Sequence, residues 1–188
     1  SAESEFRRAL QIRPDHVASL DLLGTVLAQR GQIEDGVALI RRALNLVPAD
    51  AHPHLSLAVV LLERDGATPE VVEHLRTAVQ LTPDWVVPLN ALAWLLSTSS
   101  DPALRNGEEA LPLSARAAEL TFRRDANTLD THAAAQAAAG RFAEAAATAR
   151  EALALAEARG DSAQAVAIRY RLATYERGSA YTEAPVVR

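Results

Sequence analysis

Three residue types are missing: the 188-residue chain has no cysteine, no methionine and no lysine. Without cysteine there is no disulfide, thiolate metal site or thiol nucleophile, and the redox compartment stays open. Without lysine, each of the 19 basic side chains is a guanidinium; 24 Asp and Glu oppose them, so the formal net charge is −5. That balance lacks the concentrated positive charge of a nucleic-acid footprint. Aromatic residues make up only 4%. Apolar runs such as residues 57–62 reach six, far short of the ~20 a membrane span needs, so no membrane insertion is expected. No signal-peptide pattern marks the first residues. The missing start methionine leads us to expect a piece excised from a longer polypeptide.

What is present is alanine, 40 residues, and leucine, 26, both strong helix formers. Their spacing carries more than their number. Ala2, Phe6, Ala9 and Pro14 recur 34 residues later as Gly36, Ile40, Ala43 and Pro48, and again after 35 as Val71, Leu75, Ala78 and Pro83. A second set alternates with the first: Leu20, Leu23, Gly24, Leu27; then His54, Leu57, Ala58, Leu61; then Leu89, Leu92, Ala93, Leu96. Each runs i, i+3, i+4, i+7, one face of a helix. A period of this length signals a stack of helical hairpins.

The pattern resembles the tetratricopeptide repeat. Residues 17–50 match it best through Leu20, Leu23, Gly24, Leu27, Ala43 and Pro48, with Gly36 where alanine is usual. The resemblance implies an all-α, right-handed solenoid of antiparallel helix pairs. Residues 1–16 are then an orphan second helix; 17–50, 51–85, 86–125 and 126–160 are four repeats; 161–178 form a C-terminal capping helix; 179–188 are a loose tail. Together they are expected as a single domain. Small residues let paired helices approach closely, large ones fill the remaining space, and the proline ends the second helix. Gly31 and the pair Asp65-Gly66 stand where hairpin turns are needed. The third repeat carries extra residues at 97–106. Pro112 should either deprive the Glu108 carbonyl of its helical partner or delay the helix start to about Ala110. The fourth repeat is alanine-rich, with His132 and Gln136 at positions usually large and apolar, and is expected to be the least stable. The second half also resembles the C-terminal end of tetratricopeptide regions in large bacterial proteins, where it accompanies glycosyltransferase-like, kinase or sulfatase domains. This implies a bacterial, cytoplasmic or periplasmic setting.

No nucleophile elbow, zinc-protease motif or phosphate loop occurs, so no enzyme activity is expected and no cofactor is implied. His52 and His54, with His74 a helix away, make the one cluster with a metal-ligand look; a packed interhelix histidine beside a turn explains it as well, and we assign no metal. Asp101, Pro102 and Arg105 read as a turn.

In the family's register, concave first-helix positions hold Asp21 and Thr25, then His52, Leu55, Val59 and Leu62, then Asn90 and Trp94, then Asp130. These are the candidate partner-binding residues. Trp94 is either core filler or an anchor for a bound peptide. Leu55, Val59, Leu62 and Trp94 are expected to carry most of the affinity, with Asp21 and Asp130 favouring a partner with basic flanks. Neither the Lys/Arg clamp of chaperone-tail binders nor the asparagine ladder of the O-GlcNAc-transferase subtype is present. Three functional classes follow: a non-catalytic module binding a peptide or helix, a structural or oligomerising appendage of a larger enzyme, and a small-ligand site such as one for a glycan. The missing partner of the first helix should also leave Phe6 and Leu10 exposed enough to drive self-association.

Overall fold

The computed structural model describes residues 2–184, and every regular element among them is an α-helix. The chain forms two compact units, residues 1–83 and 84–188. Each stacks consecutive helices across short turns.

In the first unit, α1 (Ala2–Ile12), α2 (Val17–Gln29), α3 (Ile33–Leu46), α4 (Ala51–Asp65) and α5 (Pro69–Leu81) pack in sequence order. The anchors of α2 and α4 that the spacing selects, Leu20, Leu23, Leu27, Leu57, Ala58 and Leu61, are all buried, as are Ile40, Ala43, Leu75 and Ala78 opposite them. The α2–α3 crossing explains Gly36. A β-carbon on Gly24 would lie 2.7 Å from the Gly36 carbonyl oxygen, and one on Gly36 would lie 2.5 Å from that of Gly24. The two backbones touch, so alanine fits neither position. Helix starts are capped by Asp50, which accepts from the His52 amide at 3.0 Å, and by Thr68, which accepts from Val71 at 3.3 Å ahead of Pro69. α1 buries none of its residues fully, and Phe6 and Leu10 are half-covered.

The second unit comprises α6 (Val86–Thr98), α7 (Gly107–Leu120), α8 (Ala126–Ala138), α9 (Phe142–Ala158) and α10 (Ser162–Glu176). α8 is central, packing on α6, α7, α9 and α10, and nearly all of it is buried. Alanines of α8 and α9 meet Leu129, Ile168, Leu172 and Tyr175 in one core cluster. His132 and Gln136 fall within this buried stretch; His132 Nδ1 bonds the Ser114 hydroxyl at 3.0 Å. Of the two arrangements expected around Pro112, α7 does not take the late start: it begins at Gly107, with Asn106 as its cap, not near Ala110. It runs on through Pro112. Pro112 offers no N–H to the Glu108 carbonyl, and both residues lie on the exposed face, where water can serve that oxygen.

Helix ends repeat one device. Gly31, Gly140, Gly160 and Gly178 take left-handed backbone (φ +71° to +84°), and the next amide bonds back five residues, as in Gln32 to Leu27 at 2.9 Å. After α7 the same position is Phe122, at φ 53°, with Arg123 bonding Ala118 at 2.8 Å.

Candidate functional site

The nine candidate residues divide between the units: Asp21, Thr25, His52, Leu55, Val59 and Leu62 in the first, Asn90, Trp94 and Asp130 in the second.

In the first unit, i, i+4, i+7 spacing puts Leu55, Val59 and Leu62 on one stripe of α4. Leu55 is half-buried, and Val59 and Leu62 are exposed. Thr25 folds back on its own helix, donating to the Asp21 carbonyl at 3.1 Å. The exposed His52 ring turns to its capping neighbour Asp50 at 3.2 Å. Asp21 is only 6% exposed. Burial pushes its carboxyl up, a hydrogen bond from Ser56 partly offsets this, and one carboxylate oxygen has no partner. A buried acid of this kind does not attract basic flanks, which corrects that expectation. Nearby, His54 and His74 meet through their Nδ1 atoms at 2.9 Å, while His54 Nε2 faces the Pro48 carbonyl at 3.0 Å. Among the described residues, no group of three or more His, Asp or Glu converges as a metal site would.

The second unit holds a denser arrangement. Asp130 on α8 receives Arg171 of α10 side-on, with Nε to Oδ1 at 2.9 Å and Nη2 on the other oxygen. Both side chains are nearly buried. Burial pushes the Asp130 carboxyl up, and Arg171 pulls it the other way. The pair also removes Asp130 as a free charge for basic partners. Fixed this way, the guanidinium lies 5.2 Å from the Trp94 ring centre and 5.6 Å from that of Tyr181, within cation–π range of both. Tyr181 belongs to the stretch after α10, which its sequence leaves featureless. There the structure departs from a loose tail. Gly178 turns the chain, Tyr181 packs against Trp94 (6.2 Å) and edge-on to Tyr170 (6.2 Å), and Glu183 bonds twice to α6. Its amide donates to the Thr98 carbonyl at 2.7 Å, and its Oε1 accepts from Trp94 Nε1 at 2.8 Å. Thr98 ends α6, so its carbonyl is one that the helix itself leaves without a partner. Asn90, one turn before Trp94, is half-buried with its side-chain oxygen unbonded. Residues 185–188 of the expected tail lie outside the described residues.

No family model matches the chain. A curated relative, the CTR9 homolog protein of Arabidopsis thaliana, is 32% identical over 76 residues, 40% of this chain. The chain spans only 7% of that relative's length. Solved structures cover far more. YrrB, described as a TPR protein with an unusual peptide-binding site, superposes with a TM-score of 0.69 over 94% of both chains at 16% identity. The chain has the tetratricopeptide-repeat fold. MamA has a similar fold (TM-score 0.65, 15% identity, 85% of this chain and 84% of that one). A mutant O-GlcNAc transferase from Thermobaculum terrenum matches at 29% identity and TM-score 0.54, over 62% of this chain and 22% of its own.

In this unit α6 and α10 carry the half-buried Trp94 and the exposed Tyr170. Of this cluster, Trp94 and Asp130 are among the residues the repeat register selects; Arg171, Tyr170, Thr98, Tyr181 and Glu183 are not. Arg171 could have been found as an arginine on the polar side of a capping helix; the tail residues carry no periodic signal at all. Among the described residues, no helix is long and apolar enough to cross a membrane.

Proposed function

We propose that the chain is a non-catalytic protein-binding module whose exposed first-helix faces take up a peptide or helix of a partner. The observation that carries this reading is the docking of residues 181–183 on α6 and α10: the face already accommodates an extended segment, the chain's own. An aromatic shelf, a held guanidinium and an indole N–H suit recognition, and they include no nucleophile with an adjacent base. Self-association through the half-covered Phe6 and Leu10 belongs to the same reading.

The test is an array of short peptides probed with the chain, with binders confirmed by fluorescence anisotropy and repeated with Trp94→Ala. Saturable binding that Trp94→Ala abolishes at an unchanged melting temperature supports the reading. No binder to a folded chain contradicts it, and a collapse in melting assigns Trp94 to the core.

A second reading, a structural appendage of a larger enzyme, is favoured by the 29% identity to part of an O-GlcNAc transferase chain. The full-length polypeptide decides it: catalytic residues elsewhere in the same chain support it, and their absence removes it.

A further inference from the structure

We infer that the α6–α8–α10 face of the second unit recognises an extended partner segment of the form aromatic-x-carboxylate, and that Tyr181-Thr182-Glu183 occupies this site as an internal stand-in. The inference rests on the protein-binding reading above and adds to it the chemistry of the partner.

Each feature of the tail's seat reads one feature of such a segment. The aromatic residue is met on three sides: by the Trp94 ring at a 42° tilt, by the nearly perpendicular Tyr170 ring and by the Arg171 guanidinium. Arg171 cannot swing away freely, because its Nε and Nη2 are both engaged by the buried Asp130. That pairing fixes a cation against two aromatic faces, a placement a solvated arginine would not hold. Two residues on, the carboxylate accepts the Trp94 indole N–H at 2.8 Å, a charge-assisted bond. The residue between them, Thr182, is exposed and unconstrained in type. The backbone is read as well: the Glu183 amide caps the orphan Thr98 carbonyl at 2.7 Å, a bond any extended peptide can make. Meanwhile Thr182, Glu183 and Ala184 remain solvent-exposed. Only Tyr181 reaches in to pack against the core cluster; the rest of the segment lies on the surface, and a partner aromatic can take the same seat. The short link from α10 keeps the tail at an effective concentration on the order of millimolar. Only a partner with more contacts than the tail, or one present when the tail is drawn off, would displace it.

The experiment uses the full chain and a labelled peptide copying residues 179–184. In the 188-residue Tyr181→Ala/Glu183→Ala variant the site is emptied of both tail side chains without touching a helix. This variant should bind the peptide roughly tenfold more tightly than the wild type, whose own tail competes. Replacing tyrosine by alanine in the peptide, or glutamate by glutamine, should weaken binding several-fold, and so should Trp94→Phe in the emptied chain, which keeps a ring but removes the donor. Equal affinity for wild type and emptied variant, or indifference to these changes, would overturn the inference. The peptide array, probed with the emptied variant, separates the two failures. Binders lacking the aromatic-x-carboxylate pattern refute this inference while leaving the module reading intact, whereas no binders at all refute both. Concentration-dependent dimerisation of the wild type, abolished in the emptied variant, would show the tail docking in a second copy and refute occupation within one chain.

Discussion

At the level of single residues, two side chains sit in surroundings that oppose their ordinary state. His74 is the clearest. Burial lowers its pKa below the usual value of 6.5; the neighbouring His54 and Arg41 add to this, and Glu70 and Glu73 oppose it. His54 bonds the Pro48 carbonyl through Nε2, so its Nδ1 accepts and His74 Nδ1 donates. A second proton on His74 would sit on Nε2 and leave this bond in place; what opposes it is chiefly burial. The sign follows from linkage: between the depressed folded value and 6.5 the unfolded chain binds more protons, so stability is present above 6.5 and lost as pH falls below it. Denaturant midpoints measured at several pH values between neutrality and pH 5 should fall on acidification, and His74→Gln should flatten that dependence. An unchanged slope in the variant would refute the assignment. Phe122 is the other such residue. It takes the left-handed backbone that glycine takes at the equivalent helix ends, and its side chain is 81% exposed. Left-handed backbone costs a side-chain-bearing residue about 1–2 kcal/mol, and glycine loses about 0.5–1 kcal/mol in chain entropy. Phe122→Gly should therefore raise stability by about 0.5–1 kcal/mol in urea unfolding; a loss would mean the ring makes contacts that outweigh the strain.

At the scale of elements, packing outweighs intrinsic propensity. Alanine is favoured over glycine by about 1 kcal/mol inside a helix, yet Gly24 and Gly36 face each other across α2 and α3 where no β-carbon fits. Overpacking typically costs about 1–3 kcal/mol, and here the obstruction is backbone, which relaxes less readily than a side chain. Gly24→Ala should destabilise the first unit by about 2 kcal/mol net, read as a lower urea midpoint. A stabilised variant would mean the helices separate at little cost. The helices themselves were largely legible in the sequence. The i, i+3, i+4, i+7 anchors from Leu20 to Leu96 pick out buried faces because hairpin stacking forces each helix to repeat its neighbour's solution. Pro112 was legible only as a disturbance. Its tolerance depends on which way it faces, and a proline on the solvent side leaves the packed side of α7 intact.

At the scale of the whole molecule, the limits of legibility have a physical cause. Repeat register places residues along each helix, so Trp94 and Asp130 could be read as facing a partner. It does not tell which charges are already neutralised. Asp130 is met by Arg171, 41 residues later, and that pairing turns an expected attraction for basic partners into a fixed cation beneath aromatic rings. Nor does periodicity reach residues 179–184, whose docking depends on one tyrosine, one glutamate and two helix-end features. The measurement closest to the central claim is the Trp94 indole N–H resonance, followed by NMR in the intact chain. It should move upfield when Glu183 and Tyr181 are replaced by alanine, then return towards its original position as the 179–184 peptide is added. A resonance indifferent both to the tail and to the peptide would contradict the account.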